Sequence, residues 1–144
     1  MRLGRHGINK NEKVELIKSV PLFARCSRKE LGEIAALADE IDLREGKTLI
    51  RQGERGREFF VLLEGEVDVA RDGESIQRMK AGDFFGEIAL VSNVPRTASV
   101  TATSPVRVLV VVDRDFRTLL EHTPQIQLKV LEALAERLAQ LQQL

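Results

Sequence analysis

The most informative stretch of the chain spans residues 82–100 and reads GDFFGEIALVSNVPRTASV. Within it, Glu87–Leu90 has the character of a single helical turn, although the surrounding residues favour β-strands. Gly86 precedes this turn and lets backbone N–H groups converge on a small space, and the N-terminus of a helical turn favours an anion. Arg96 follows the turn and supplies a planar guanidinium suited to bidentate contact with a phosphate. The stretch therefore predicts an anion-binding turn inside a β-rich region.

Short strands punctuated by glycines surround this stretch. The predicted strands are Thr48–Arg51, Phe59–Glu64, Glu66–Arg71, Ser75–Met79, Ala98–Ala102 and Val106–Val112. Glu66–Arg71 alternates polar and apolar residues, which is typical of a strand with one buried face. Phe59–Leu63 is continuously apolar, which is typical of a strand buried on both faces. Many short strands of this kind favour a small barrel or a jelly roll.

Helical patterns flank the strands at both ends of the sequence. Lys10–Val20 carries an amphipathic apolar pattern, and Ser27 with Glu30 forms the capping box of a second predicted helix. After the strands, two further helices are predicted, one over Arg114–Glu121 and one that begins at Pro124 and continues to the C-terminus.

This order of elements predicts one domain over residues 1–144, because a chain of 144 residues is long enough to bury its own core. We expect N-terminal helices in residues 1–40, β-strands in residues 41–113 and C-terminal helices in residues 114–144.

Composition disfavours several classes of function. Lys and Arg number 22 and Asp and Glu number 22, so the chain lacks the basic excess of a dedicated nucleic-acid binder. No apolar run approaches the roughly 20 residues of a membrane helix, and the N-terminus does not resemble a signal peptide, so we expect a cytoplasmic protein. A single cysteine, Cys26, and two distant histidines, His6 and His122, argue against a disulfide, a zinc site or a Ser-His-Asp triad. We therefore expect a non-enzyme that holds no metal and no cofactor.

Residues 85–90, FGEIAL, followed by residues 95–98, PRTA, resemble the phosphate-binding cassette of cyclic nucleotide-binding domains. The resemblance covers nearly the whole chain, because residues 20–23, VPLF, and the helix after them are similar to the N-terminal helical segment of the family. It implies a mainly β fold, an eight-stranded β-roll with an N-terminal helical segment and two C-terminal helices. The cassette itself is expected over residues 85–98.

The resemblance also implies a role for each matching residue. Glu87 corresponds to the carboxylate that accepts a hydrogen bond from the ribose 2′-hydroxyl, and Arg96 to the cation that pairs with the cyclic phosphate. Gly86, Ala89 and Thr97 correspond to residues whose backbone N–H groups surround ribose and phosphate. These roles suit the chemistry, because a cyclic phosphate carries one negative charge and a carboxylate only accepts hydrogen bonds.

Further along the resemblance, Val69 and Met79 are expected on the roll wall beside the sugar and base. The full expected ligand-binding set is Phe85, Gly86, Glu87, Ile88, Ala89, Arg96, Thr97, Ala98, Val69, Met79 and Arg137. Thr97 leaves the nucleotide open, because a Thr at this position bonds the guanine 2-amino group in cGMP-preferring members and serves the phosphate in bacterial members. We favour cAMP as the ligand, with cGMP as the alternative.

The last helix is expected to close over the ligand as a lid. Its leucines form an apolar stripe that must cover either the pocket mouth or a second subunit, which would make a homodimer: Leu131, Leu134, Leu138 and Leu141. Arg137 lies where some family members place a cation that reaches the nucleotide, and a solvated surface residue is the alternative interpretation.

The output of the domain is left open by the sequence. No helix-turn-helix follows the last helix, so we expect no direct binding to DNA. The expected partner is an effector protein that the sequence does not specify, and the chain either acts alone or is a piece of a longer one. An unliganded protein-interaction domain of the same fold is a further alternative.

Overall fold

The computed structural model describes residues 8–142, which divide into two compact units. The β-roll unit spans Leu37–Thr118, and the helical unit combines the N-terminal residues through Ala36 with those from Leu119 onward. The helices are α1 (Lys10–Lys18), α2 (Arg28–Ala35), α3 (Asp113–His122) and α4 (Pro124–Gln142), with a 3₁₀ turn at Pro21–Phe23.

Two antiparallel four-stranded sheets build the β-roll unit. Within the described residues the strands are β1 (Asp39–Leu43), β2 (Thr48–Ile50), β3 (Glu58–Glu64), β4 (Glu66–Arg71), β5 (Glu74–Lys80), β6 (Phe84–Phe85), β7 (Ser99–Ala102) and β8 (Val106–Val112). One sheet has the order β1-β8-β3-β6 and the other has the order β2-β7-β4-β5. The predicted mainly β class and eight-stranded roll with flanking helices are confirmed.

Two strands, β1 and β6, are not among those that the sequence patterns predict, and there is a physical reason for each omission. β1 begins at Asp39, inside the segment predicted to be helical, and its acidic residues have low intrinsic strand propensity. Pairing with β8 stabilises it, since Arg107 of β8 places its Nε 3.4 Å from carboxylate oxygens of both Glu40 and Asp42. β6 has only two residues, too few to show a period, and it forms by pairing with Phe60 and Val61 of β3.

The inner faces of the two sheets enclose the core of this unit. Phe59–Leu62 and Val106–Val111 are buried, which confirms the prediction that β3 is covered on both faces over these residues. β4 buries Val67 and Val69 and alternates as predicted. Phe60 and Phe85 stack with ring centroids 5.1 Å apart, so the segment that follows Phe85 leaves the sheet from a fixed position.

In the helical unit, the predicted capping box is present at the start of α2. Ser27 Oγ accepts from the Glu30 backbone N–H at 3.2 Å, and a Glu30 carboxylate oxygen accepts from the Ser27 N–H at 2.7 Å. The same carboxylate oxygen accepts from Lys129 Nζ of α4 at 2.5 Å, and this contact is the main reason why the pKa of Glu30 lies below its ordinary value. A second ion pair joins Arg25 to Glu136 of α4, so α4 is fastened to the N-terminal helices at two points.

The packed side of α4 differs from the leucine stripe that the sequence suggests. Ile126 and Val130 are buried, whereas Leu131 and Leu138 are 62% and 55% exposed. The side chain of Leu141 lies outside the described residues. Leu134 is half-buried, so only Leu131 and Leu138 of the stripe form an exposed apolar surface among the described side chains.

Gly65, between β3 and β4, generates a stability prediction. Its φ is +91°, and a Cβ built there would lie 2.3 Å from the Pro105 carbonyl oxygen. Gly73 has a similar φ of +83° but open space around it. Gly73→Ala should cost about 1–2 kcal/mol for the left-handed backbone, and Gly65→Ala about 1–3 kcal/mol more for the clash.

The measurement is urea unfolding followed by far-UV circular dichroism, since the chain has no Trp or Tyr to report by fluorescence. Equal losses of stability for the two variants would contradict the close approach at Gly65.

Candidate ligand-binding site

A cavity of about 290 Å³ lies within the β-roll unit. This volume is at the lower end of the roughly 300–1,000 Å³ range of small-molecule sites. The structure places ten of the eleven predicted ligand-binding residues around it: Val69, Met79, Phe85, Gly86, Glu87, Ile88, Ala89, Arg96, Thr97 and Ala98. The eleventh, Arg137, lies in α4 with its side chain outside the described residues. Whether any of them contacts a ligand stays a prediction.

The cassette turn has the conformation that its sequence predicts. Gly86 has φ +84° and precedes one 3₁₀ turn at Glu87–Leu90, closed by the Ala89 N–H bond to the Gly86 carbonyl at 3.1 Å. The first N–H groups of such a turn have no acceptor within it. Glu87 begins the turn, and it lines the cavity together with Gly86, Ile88 and Ala89.

Arg96 is the only one of the predicted residues that brings a cation into the described cavity wall. Its side chain is 9% exposed, and its guanidinium donates from Nη2 to the Glu58 carbonyl at 2.6 Å and from Nη1 to the Gly86 carbonyl at 3.3 Å. The backbone of Arg96 is fixed too, since its N–H donates to Glu54 and its carbonyl accepts from Gly53. The cation is thus held in place before any ligand enters.

Two glycines make the room that the guanidinium occupies. A Cβ built at Gly56 would lie 1.9 Å from Arg96 Nε, and one built at Gly86 would lie 2.9 Å from Nη1. Gly56 does not have a positive φ, so its requirement for glycine is one of space alone. We call the space between these two backbones the glycine slot.

The charge of Arg96 is only partly compensated in the glycine slot. Burial lowers the pKa of the guanidinium from its ordinary value, and the nearby Glu58 carboxylate acts in the opposite direction. That carboxylate is 4.0 Å away and 46% exposed, so the attraction is weak. Within the described part of the chain, the buried Nε has no hydrogen-bond partner. An anion in the cavity would supply the missing negative charge.

Sequence patterns missed several residues of the site. The further lining residues are Ile50, Arg71, Ile76, Gln77, Phe84, Val94, Pro95 and Val100, and Gly56 and Glu58 surround Arg96. The alternation of β4 was a usable signal for Arg71, which falls on the same face as Val67 and Val69. Gly56 carried no such signal, because its role depends on a contact with a residue 40 positions further along the chain.

The cavity of the roll therefore presents one buried cation beside a helical turn, an arrangement that suits a small anion. The sequence profile of the cyclic nucleotide-binding domain matches residues 40–123, and the chain belongs to this family, as its cassette predicts. Domains of this family are regulatory modules and not catalytic ones.

Two proteins with similar sequences are consistent with this family assignment. The chain is 38% identical over 118 residues to a cAMP-dependent protein kinase regulatory subunit of Mycosarcoma maydis, an alignment that covers 74% of this chain and 22% of that protein. It is 34% identical over 123 residues to a cyclic nucleotide-gated potassium channel of Rhizobium etli, covering 85% of this chain and 34% of the channel. The chain thus spans about a fifth to a third of the length of these relatives.

A solved structure resembles the chain over most of its length. The N-terminal domain of a transcriptional regulator from Streptomyces coelicolor A3(2) superposes with a TM-score of 0.82 and 28% identity, covering 89% of this chain and 93% of that one. As for membranes, none of the helices within residues 8–142 combines the length and apolar character that a crossing demands.

The glycine slot generates the second prediction. Gly56→Ala should displace the Arg96 guanidinium and weaken cyclic nucleotide binding about ten- to hundredfold, the value of a hydrogen bond to a charged group. Arg96→Ala removes the cation and should cost about 30-fold to several thousand-fold. Because both changes act on the same group, the double variant should bind no more weakly than Arg96→Ala.

Isothermal titration of the wild type, the two single variants and the double variant measures this cycle. Additive losses would show that Gly56 acts on binding by another route than Arg96. Circular dichroism on each variant verifies that the fold is retained.

Proposed function

We propose that this chain is a sensor of a cyclic mononucleotide, with cAMP the favoured ligand, and that it regulates a partner protein without catalysing a reaction. The observation that carries the proposal is the buried Arg96 guanidinium, which lines a cavity of small-molecule size and has only the distant, half-exposed Glu58 carboxylate as a counter-charge. A single buried cation suits the single negative charge of a cyclic phosphodiester. No metal and no cofactor are needed for this binding.

The proposed pose follows from the groups around the cavity. The cyclic phosphate pairs with Arg96 and accepts from the backbone N–H of Thr97. The Ala89 N–H closes the 3₁₀ turn on the Gly86 carbonyl at 3.1 Å, so any bond that it makes to the phosphate is shared with that carbonyl. The ribose 2′-hydroxyl donates to Glu87, whose carboxylate only accepts. A phosphate on the 2′ position would meet this negative charge, so Glu87 selects an unmodified ribose.

The preference for cAMP is supported by a relative that is named for it. The matching regulatory subunit of Mycosarcoma maydis belongs to a cAMP-dependent kinase. Thr97 keeps cGMP as the alternative ligand, since its hydroxyl suits the guanine 2-amino group. An interaction domain with an empty pocket is disfavoured because this chain retains both Glu87 and Arg96 at the cavity.

The third prediction tests the role of Glu87. If its carboxylate accepts from the 2′-hydroxyl, the wild type should bind 2′-deoxy-cAMP about ten- to hundredfold more weakly than cAMP, as expected for loss of a hydrogen bond to a charged group. Glu87→Ala should bind the two ligands almost equally. Titration of both proteins with both ligands gives the coupling, and a ribo-to-deoxy ratio that is the same in Glu87→Ala and the wild type refutes this role.

We propose further that the C-terminal helix α4 transmits the signal. A ligand shifts the position of an element only through its different affinity for the two states. Because two ion pairs fasten α4 to the N-terminal helices, Lys129 to Glu30 and Arg25 to Glu136, we expect these helices to move together with α4. The exposed leucines of α4 offer a surface for a lid contact or for a second subunit, and we propose an effector protein, not DNA, as the target.

The fourth prediction concerns hydrogen exchange in α4. If the helix closes over bound nucleotide, backbone exchange over residues 125–142 should slow when saturating cAMP is added, because closure protects its amides. The measurement is hydrogen–deuterium exchange followed by mass spectrometry, with the exchange of β8 as the internal reference. If exchange in α4 is identical with and without ligand, the lid proposal is wrong, and a contact with a second subunit remains as the role of the leucine stripe.

A further inference from the structure

Two polar side chains of the cavity have no role in the proposed pose, Arg71 of β4 and Gln77 of β5. Val69 and Gln77 are direct partners in the pairing of these strands, and opposite residues of an antiparallel pair share a face. Val69 is buried on the inner face, so Gln77 also belongs to that face. Both polar residues therefore stand on a roll wall that is otherwise apolar near them.

A bulge in the β4–β5 hairpin makes this placement unusual. Val69 pairs with Gln77 but Ala70 pairs with Ser75, so Ile76 is an extra residue in β5. Ile76 and Gln77 are consecutive in the chain, yet both line the cavity. Since consecutive residues of a regular strand point to opposite faces, the bulge allows both side chains to line the cavity.

The two polar residues differ in how many of their hydrogen-bonding groups are already used within the protein. Arg71 donates from Nε to the Thr97 carbonyl at 3.1 Å, which attaches the end of β4 to the cassette. Among residues 8–142, the Gln77 amide has no hydrogen-bond partner. Gln77 is exposed, so its amide donors and acceptor are open to water and to whatever occupies the cavity.

We propose that Gln77 recognises the edge of the nucleotide base and selects adenine over guanine, an inference that rests on the proposed function. With the phosphate at Arg96 and the ribose at Glu87, the base is the remaining part of the ligand for the hairpin wall. Val69 and Ile76 supply apolar surface for the faces of the ring, and Gln77 supplies the polar contact at its edge.

The chemistry of the amide decides which base fits. Adenine presents the N7 acceptor beside the N6 amino donor, and one amide satisfies both with its NH₂ and its carbonyl oxygen. Guanine presents N7 and O6, which are both acceptors, so the amide oxygen is left against a carbonyl oxygen. A guanidinium at the same place, with donors only, would prefer guanine.

The experiment measures the affinities of cAMP and cGMP by isothermal titration for the wild type and four variants. The wild type should prefer cAMP, and Gln77→Ala should reduce the cAMP-to-cGMP preference by about 5- to 150-fold, the discrimination of one bidentate base contact. Gln77→Arg should reverse the preference. Arg78→Ala, on the outer face of β5 where Arg78 lies 3.9 Å from Asp68, is the matched control and should leave the ratio unchanged.

Other results of this titration would contradict either the role of Gln77 or the proposed function. If both nucleotides bind but neither Gln77 variant changes the ratio, or if the wild type prefers cGMP, Gln77 does not select adenine and the proposed function survives. A ratio that moves in Arg71→Ala but not in Gln77→Ala also overturns the proposal, since Arg71 would then recognise the base. Failure of the wild type to bind either nucleotide overturns the proposed function itself.

Discussion

The guanidinium of Arg96 lies between the backbones of Gly56 and Gly86, with its terminal nitrogens bonded to the carbonyls of Glu58 and Gly86. This single group connects the start of β3 to the cassette turn, so the relative positions of these two segments depend on it. The arrangement leaves a buried cation with an unpartnered Nε within the described residues, which is costly in the absence of an anion. A site that pays this cost before binding has less to reorganise when the ligand arrives.

The fold supports this cation from both sides of the roll. The pairing of β6 with β3 and the stacking of Phe60 on Phe85 set the direction in which the chain enters Gly86. At the far end of the cassette, the backbone of Arg96 is hydrogen-bonded to the turn at Gly53 and Glu54, with the Gly53 N–H donating to the Arg96 carbonyl and the Arg96 N–H donating to the Glu54 carbonyl. These contacts thus position the Arg96 end of the cavity, while residues of the β4–β5 hairpin line another part of its wall.

Much of this arrangement is predictable from the sequence, where the signal is local. Three features each depend on only a few neighbouring residues: the alternation in β4, the capping box at Ser27 and the glycine before the Glu87 turn. The glycine slot and the bulge at Ile76 depend on contacts and pairing that no local pattern encodes. β1 is an example of tertiary pairing that overrides propensity, because its acidic residues become favourable only beside Arg107 of β8.

The central claim is that one buried cation accommodates one negative charge in a small cavity. Isothermal titration with cAMP and with linear 5′-AMP tests it most directly, because the linear monoester carries about 1.5 to 2 negative charges at neutral pH. The account predicts one-to-one binding of cAMP and binding of 5′-AMP that is weaker by about tenfold or more, or about 1.4 kcal/mol. Equal affinity for the two nucleotides would contradict it.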